Sequence, residues 1–156
     1  MGKAWQESSS FYNSGADTSA LAVQAKKELL NEINKFKSNT QAERVAVMIG
    51  AYDPITGKTA VGYSNKIITA DSLHPTTVSY VEGQLGVKIG EFTSFCKNKA
   101  GACAEVSAAD SLIRQGVRPE NIQFTQAVRQ ENGILSDKVI VETCNNCKVT
   151  WPKGTK

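Results

Sequence analysis

Arg44-Val45-Ala46-Val47-Met48-Ile49-Gly50-Ala51-Tyr52-Asp53-Pro54-Ile55-Thr56-Gly57-Lys58-Thr59-Ala60-Val61-Gly62-Tyr63 is the stretch whose reading decides the fold. Arg44 to Gly50 and Thr59 to Tyr63 are rich in β-branched and apolar residues, as strands are. Between them, Asp53-Pro54-Ile55-Thr56-Gly57 has turn chemistry: Pro presets φ, Asp bonds its own backbone, and Gly accepts a positive φ. The pair therefore predicts an antiparallel hairpin. Upstream, Asp17 or Ser19 can cap a helix running to about Lys37, with Leu21, Ala25, Leu29, Ile33 and Phe36 on one stripe. A one-sided stripe needs a sheet to cover it. Residues 1–18 read as a flexible leader, although Trp5, Phe11 and Tyr12 could dock on the body.

Downstream the signals alternate again. Lys66 to Ala102 is long for a connection inside a small domain, so it reads as an inserted, substrate-facing loop or a region of short elements. Helix signals return at Ala104 and run to about Gln115, with Val106, Ala109, Leu112 and Ile113 on one face and Gly116 as the stop. Ile122 to Val128 and Lys138 to Glu142 are strand-like, joined through Asn132-Gly133. A chain of 156 residues fits one domain with a single core, expected over residues 19–156.

Composition narrows the function only a little. With 18 basic and 15 acidic residues the net charge is +3, which permits a nucleic-acid partner without demanding one. The apolar run Val45 to Ala51 is too short to span a bilayer, and residues 1–20 lack the apolar stretch of a signal peptide, so no membrane role is expected. Four cysteines admit two disulfides in three connectivities, the reading of a stapled secreted domain.

The chemistry lies in Cys103-Ala104-Glu105 and Cys144-Asn145-Asn146-Cys147, forty-one positions apart from first Cys to second (144 minus 103). Three thiols and a carboxylate in that order suit a zinc ion with an open fourth position beside an acid that moves protons. Disulfides predict nothing about a Glu two residues past a Cys; the zinc reading does. Zinc deaminases have a three-Cys or His/Cys/Cys site, with a non-ligand Glu two residues after the first ligand and a Cys-x-x-Cys downstream. The chain resembles the cytidine deaminase superfamily, and most of all the bacterial polymorphic-toxin deaminases of the YwqJ type, whose first motif is Cys-Ala-Glu. Thr143 stands where members usually carry Pro before the second Cys pair, and Val106 stands where some free-nucleoside enzymes place Arg.

The resemblance implies an α/β fold of three layers, with a mixed sheet and helices on both faces. It implies zinc held by Cys103, Cys144 and Cys147, with Glu105 as catalytic acid and base and Ala104 at the substrate. Asn65 corresponds to a sugar-binding Asn of many members, with a turn Asn as the alternative reading. His74, the only His, is a candidate for stacking on a base or contacting phosphate, or a loop residue without a role. The implied reaction is cytosine to uracil in nucleic acid, single-stranded DNA first, with RNA, duplex DNA, a free nucleoside or an adenine base as alternatives. The implied setting is a bacterial toxin effector delivered into a target-cell cytoplasm, with an immunity protein as partner.

Two competing site assignments follow from the same residues. A non-catalytic zinc-stabilised binding module would need a fourth ligand, for which Cys96 and His74 are available; Cys96 is expected to stand apart, because a closed site leaves Glu105 without a role. Tyr80-Val81-Glu82-Gly83-Gln84 resembles the His-Val-Glu-Gly-Gln run of a second toxin-deaminase family that acts on duplex DNA, which would make Glu82 the acid, but Tyr is a poor zinc ligand.

Overall fold

The computed structural model describes residues 15–34, 47–131, 134–152 and 154. The expected hairpin forms: β1 (Val47–Tyr52) and β2 (Thr59–Tyr63) run antiparallel, with Met48 opposite Tyr63 and Tyr52 opposite Thr59. Its turn closes on Asp53, whose carboxylate accepts hydrogen bonds from the Ile55 and Thr56 amides and the Thr56 hydroxyl, while Gly57 takes φ 78°. Those three donors are why a carboxylate can be buried there. Residues 44–46, at the start of the expected strand, lie outside the described residues. The strand continues two residues past Gly50 because a partner on its other edge reaches that far.

That partner comes in two pieces, β3 (Gln123–Phe124) and β4 (Ala127–Glu131), both antiparallel to β1. Between them Thr125 donates its amide to the Gly50 carbonyl and accepts the Gly50 amide on its hydroxyl, so the break in the ladder leaves no β1 group unpaired at Gly50. The single strand expected over Ile122 to Val128 is thus split at Thr125. β5 (Ile134–Val141) pairs antiparallel with β4 and begins four residues before the expected Lys138, with Glu131 opposite Ile134; Asn132 and Gly133 lie outside the described residues. The sheet order is β2-β1-β4-β5. Every described pairing is antiparallel where a mixed sheet was expected. The crossover from β2 to β3 spans β1, so the two parallel strands β2 and β4 are never neighbours.

Strand alternation then sorts the core into two layers around the sheet. On one face α1 (Gly15–Asn34) buries Ala25, Leu29 and Ile33, the last two clustering with Met48 and Val128. The helix starts before either expected cap, and residues 35–37, including Phe36, lie outside the described residues, as do residues 1–14 of the expected leader. On the other face, α2 (Pro75–Leu85), α3 (Ala104–Arg114) and α4 (Asn145–Thr150) cover Ile49, Ala51 and Phe124. Trp151 anchors this layer, stacked on Tyr80 with ring centres 4.9 Å apart and edge-on to Phe124 at 5.6 Å. The fold is α/β with helices on both faces. No helix among the described residues is long and apolar enough to cross a membrane.

The 66–102 segment holds a full helix that residue-level reading left unplaced. Its Thr, Val, Ser, Tyr and Gly content gives weak helix propensity. What fixes α2 is its ends: Pro75 in the first turn, His74 as N-cap accepting the Thr76 amide on Nδ1, and Gly86 at φ 74° as the C-terminal stop.

α3 sits unusually close to β2. A Cβ built on Gly62 would lie 2.2 Å from the Ala108 amide nitrogen and 2.6 Å from the Ala104 carbonyl oxygen, both backbone atoms that cannot move aside. Gly62→Ala is therefore expected to cost about 2 kcal/mol or more in urea denaturation. Gly83→Ala, where nothing lies within 4 Å of the added methyl, should instead stabilise by about 0.5–1 kcal/mol.

Candidate metal centre

Both cysteine motifs are helix starts. Cys103 is the extended N-cap of α3 (φ −72°, ψ 152°) and Cys144 the extended N-cap of α4 (φ −68°, ψ 156°), so Cys144-x-x-Cys147 winds as a first helical turn, as its spacing suggested. The two helices belong to one layer, and their starts meet. The sulfurs of Cys103, Cys144 and Cys147 all lie within 4.8 Å of one another, and Cys103 Sγ is 2.6 Å from Cys144 Sγ. All four cysteines are free, and Cys96 is not in the cluster.

Charge in the cluster is unevenly shared. Cys144 is held well below the ordinary thiol range, first by hydrogen bonding with Cys103 and then with Cys147, with the Cys147 amide and the Asn98 side chain adding to it. The same contact with Cys144 raises Cys103, and burial raises Cys147. Without a metal, hydrogen bonding among the three sulfurs thus favours the ionised form at Cys144 over the other two. Three sulfurs surrounding a tetrahedral ion at about 2.3 Å stand about 3.8 Å apart, so the close pair of Cys103 and Cys144 has to open by about an ångström to take one. These three cysteines are placed to hold a metal ion.

Glu105 is the second residue of α3, in its first turn, and is 3 % exposed. With Cys103, Ala104 and Cys144 it lines a cavity of about 150 Å³ whose wall also includes Val47, Ser64, Lys66 and Asn98. Burial pushes its carboxyl up to about 7, with the Cys144 charge adding to the rise; its own backbone and Cys147 oppose it through hydrogen bonds. A carboxyl in that range carries and releases a proton near neutral pH. A larger groove, about 470 Å³, runs between α1 and the β3–β5 side of the sheet, but none of the sulfurs lines it and its charged groups Lys26, Glu142 and Lys148 are solvent-exposed.

The remaining candidates separate. Ala104 lines the cavity. Asn65 accepts the Ile67 amide on Oδ1, which is the turn role, while its own amide donates to the Ala102 carbonyl just before the first motif. His74 caps α2, and its amide donates to Asp110, which also takes the Thr77 hydroxyl and Arg114. Its Nδ1 is taken by the helix cap. Glu82 accepts the Ile89 amide, closing the turn after α2, and is not in the sulfur cluster.

Two asparagines were missed. Asn146, buried between the cysteines of the second motif, accepts the Thr93 hydroxyl and donates to the Asn98 carbonyl; Asn145 donates to the Phe95 carbonyl. Asn98 in turn places its amide nitrogen 4.0 Å from Cys103 Sγ. The motif that supplies two sulfurs thus also ties down the loop over them. The signal was the Asn-Asn pair itself, whose side chains are short enough to bond nearby backbone.

No protein-family model, curated protein or solved structure matches this chain.

Two outcomes follow. Purified protein should carry about one metal ion per chain by elemental analysis; Cys96→Ser should keep it, and Cys103→Ser or Cys147→Ser should lose it. The second concerns burial of Glu105. Its folded value of about 7 lies above the ordinary 4.5, so burial costs nothing below about pH 4.5, where both states are protonated, and destabilises progressively as pH rises through about 7. In chelator, Glu105→Gln should therefore melt above wild type at about pH 8, by on the order of 2 kcal/mol, and level with it at about pH 4.5.

Proposed function

We propose that this chain is a zinc-dependent hydrolytic deaminase that converts cytosine to uracil in nucleic acid, single-stranded DNA first, as the effector domain of a bacterial toxin. One observation carries the reading: a buried carboxyl shares a cavity with two of three clustered sulfurs, all set by two helix starts. The residue order Cys-Ala-Glu and Cys-x-x-Cys, which resembles the YwqJ-type toxin deaminases, supplies the choice of reaction. The donor set of three thiols, with no fourth protein ligand clustered among the described residues, suits a catalytic zinc more than a closed structural one.

Cys103, Cys144 and Cys147 would hold the ion. When bound, it supplies a Lewis acid with one coordination position the protein leaves to other ligands. Glu105 does the proton work. Its carboxylate accepts a proton from the attacking water as the oxygen adds to the amino-bearing ring carbon and passes it to the ring nitrogen; it then takes the proton left on the added hydroxyl and passes it to the amine, which leaves as ammonia as the carbonyl forms. The three thiolates make the ion a weaker acid, which raises the demand on Glu105; the amides at the starts of α3 and α4 offset part of that charge. An unpaired base reaches such a site without the cost of unstacking a duplex, which favours the single strand. Delivery into a target-cell cytoplasm and neutralisation by an immunity protein belong to the same reading.

Zinc-loaded protein should convert C to U in single-stranded oligonucleotides, and Glu105→Ala should keep its zinc and fold while losing at least 10² to 10⁴ in rate. Full activity in Glu105→Ala overturns the mechanism. Turnover of a free nucleoside with no change in any oligonucleotide overturns the polymer substrate alone.

A further inference from the structure

Six large apolar side chains are exposed among the described residues, and three of them, Ile67, Phe92 and Phe95, lie on the two loops that flank the sulfur cavity. Ile67 follows Lys66, which lines the cavity wall, and Phe92 and Phe95 precede Asn98, which lines it from the other loop. The loops are joined: the Asn65 amide donates to the Ala102 carbonyl at 2.8 Å, and Ile68 and Ile89 meet over Gly101. Phe92 is 64 % exposed and Phe95 41 %. Two exposed aromatic rings within four residues, beside a cavity, are not the scattered apolar residues of an ordinary surface.

Their backbone is held firmly while their rings face solvent. Phe92 pairs with Lys99 in an antiparallel bridge that closes a small hairpin, and Lys99 Nζ stands 5.7 Å from the Phe92 ring centre. The hairpin tip is fixed by Thr93 on Asn146, Asn145 on the Phe95 carbonyl and Asn146 on the Asn98 carbonyl. The same two loops carry Lys66, Lys97 and Lys99 against one acid, Glu91, whose Oε1 accepts the Lys88 amide. Rigid aromatic faces among cations are the combination that binds unpaired nucleic acid: bases stack and phosphates meet the charges.

We infer that the Phe92–Lys99 hairpin is a platform for single-stranded nucleic acid, on which bases neighbouring the one in the cavity stack against Phe92 and Phe95 while Lys66, Lys97 and Lys99 meet the backbone. The inference rests on the proposal that the cavity receives a base, and it names the residues that would make a polymer the preferred substrate. A protein partner covering the same patch would want the apolar rings but not the cations.

The test is binding of a fluorescein-labelled single-stranded oligodeoxynucleotide to the full zinc-loaded chain carrying Glu105→Ala, read by fluorescence anisotropy at low salt. Phe92→Ala and Phe95→Ala should each weaken binding about tenfold, the scale of one lost base stack. Phe95→Trp should retain affinity, and Ile55→Ala, at the exposed β1–β2 turn, should change nothing. Lys99→Ala should flatten the salt dependence by about 0.7 in the log–log slope. In otherwise wild-type protein, Phe95→Ala should raise KM for the oligonucleotide more than it lowers kcat, the split expected of lost substrate binding. Alanine variants that melt like wild type and bind as tightly as it does overturn the platform, as does a parent chain that binds no oligonucleotide. Binding that depends on the two phenylalanines without any deamination by wild type upholds the platform and removes the deaminase reading. Deamination of oligonucleotides unaffected by either phenylalanine does the reverse.

Discussion

The contact of β2 with α3 at Gly62 is the constraint from which the site follows. A strand and a helix normally meet through side chains, with the backbones held apart; here the strand runs against the Ala104 carbonyl and the Ala108 amide because Gly62 has no side chain and Ala104 and Ala108 have almost none. The Tyr63 amide then donates to the Ser107 hydroxyl, and the Asn65 amide to the Ala102 carbonyl, so the chain leaving β2 is fastened along the first turn of α3. That fastening sets where Cys103 and Glu105 stand. Arg114, paired with Asp110 at 2.7 Å, and Gly116 at φ 93° hold the other end of the helix.

A second set of bonds brings the other sulfurs to meet the first. α4 is only six residues long and could not hold its position by helix propensity. Trp151, at its end, packs between Tyr80 and Phe124, while the Thr150 hydroxyl and the buried Asn146 fill the helix side with satisfied polar groups. The loop from Gly90 to Ala102 is held in the same way, through Asn145 and Asn146, so one tetrapeptide both binds and roofs the cluster. The 66–102 segment is therefore less an insertion than the wall of the cavity.

How much of this was legible depends on which physics each residue uses. The hairpin, α1 and α3 were readable because their signals are local: turn chemistry at Asp53 to Gly57, a stripe at helical spacing, a Gly stop at residue 116. The three sulfurs and Glu105 were readable because the pattern is a chemical grammar with few other uses. α2 was not, since its composition opposes helix and its stability comes from caps and from burying Thr77, Val81 and Leu85. The split between β3 and β4 was not readable either, because it depends on Thr125 bonding Gly50 seventy-five positions away. The helix-capping place of His74 was not legible for a similar reason, because it depends on Pro75 opening a helix that the composition of residues 75–85 does not announce.

The cluster without a metal is under electrostatic tension, and that tension is informative. Burial raises Glu105, burial and its sulfur neighbours raise Cys147, and only Cys144 is drawn down, because two thiols can stabilise one thiolate but not three. A core selected only for stability would replace a buried carboxyl beside a thiolate with something apolar, since each such group lowers the stability of the fold. A dication changes the sign of that argument: with positive charge at the centre, three thiolates become ligands rather than mutual repellents, and Glu105 faces a site of about minus one instead of an accumulating negative cluster. The arrangement is therefore costly as a structural feature and coherent as a metal centre with a carboxyl beside it.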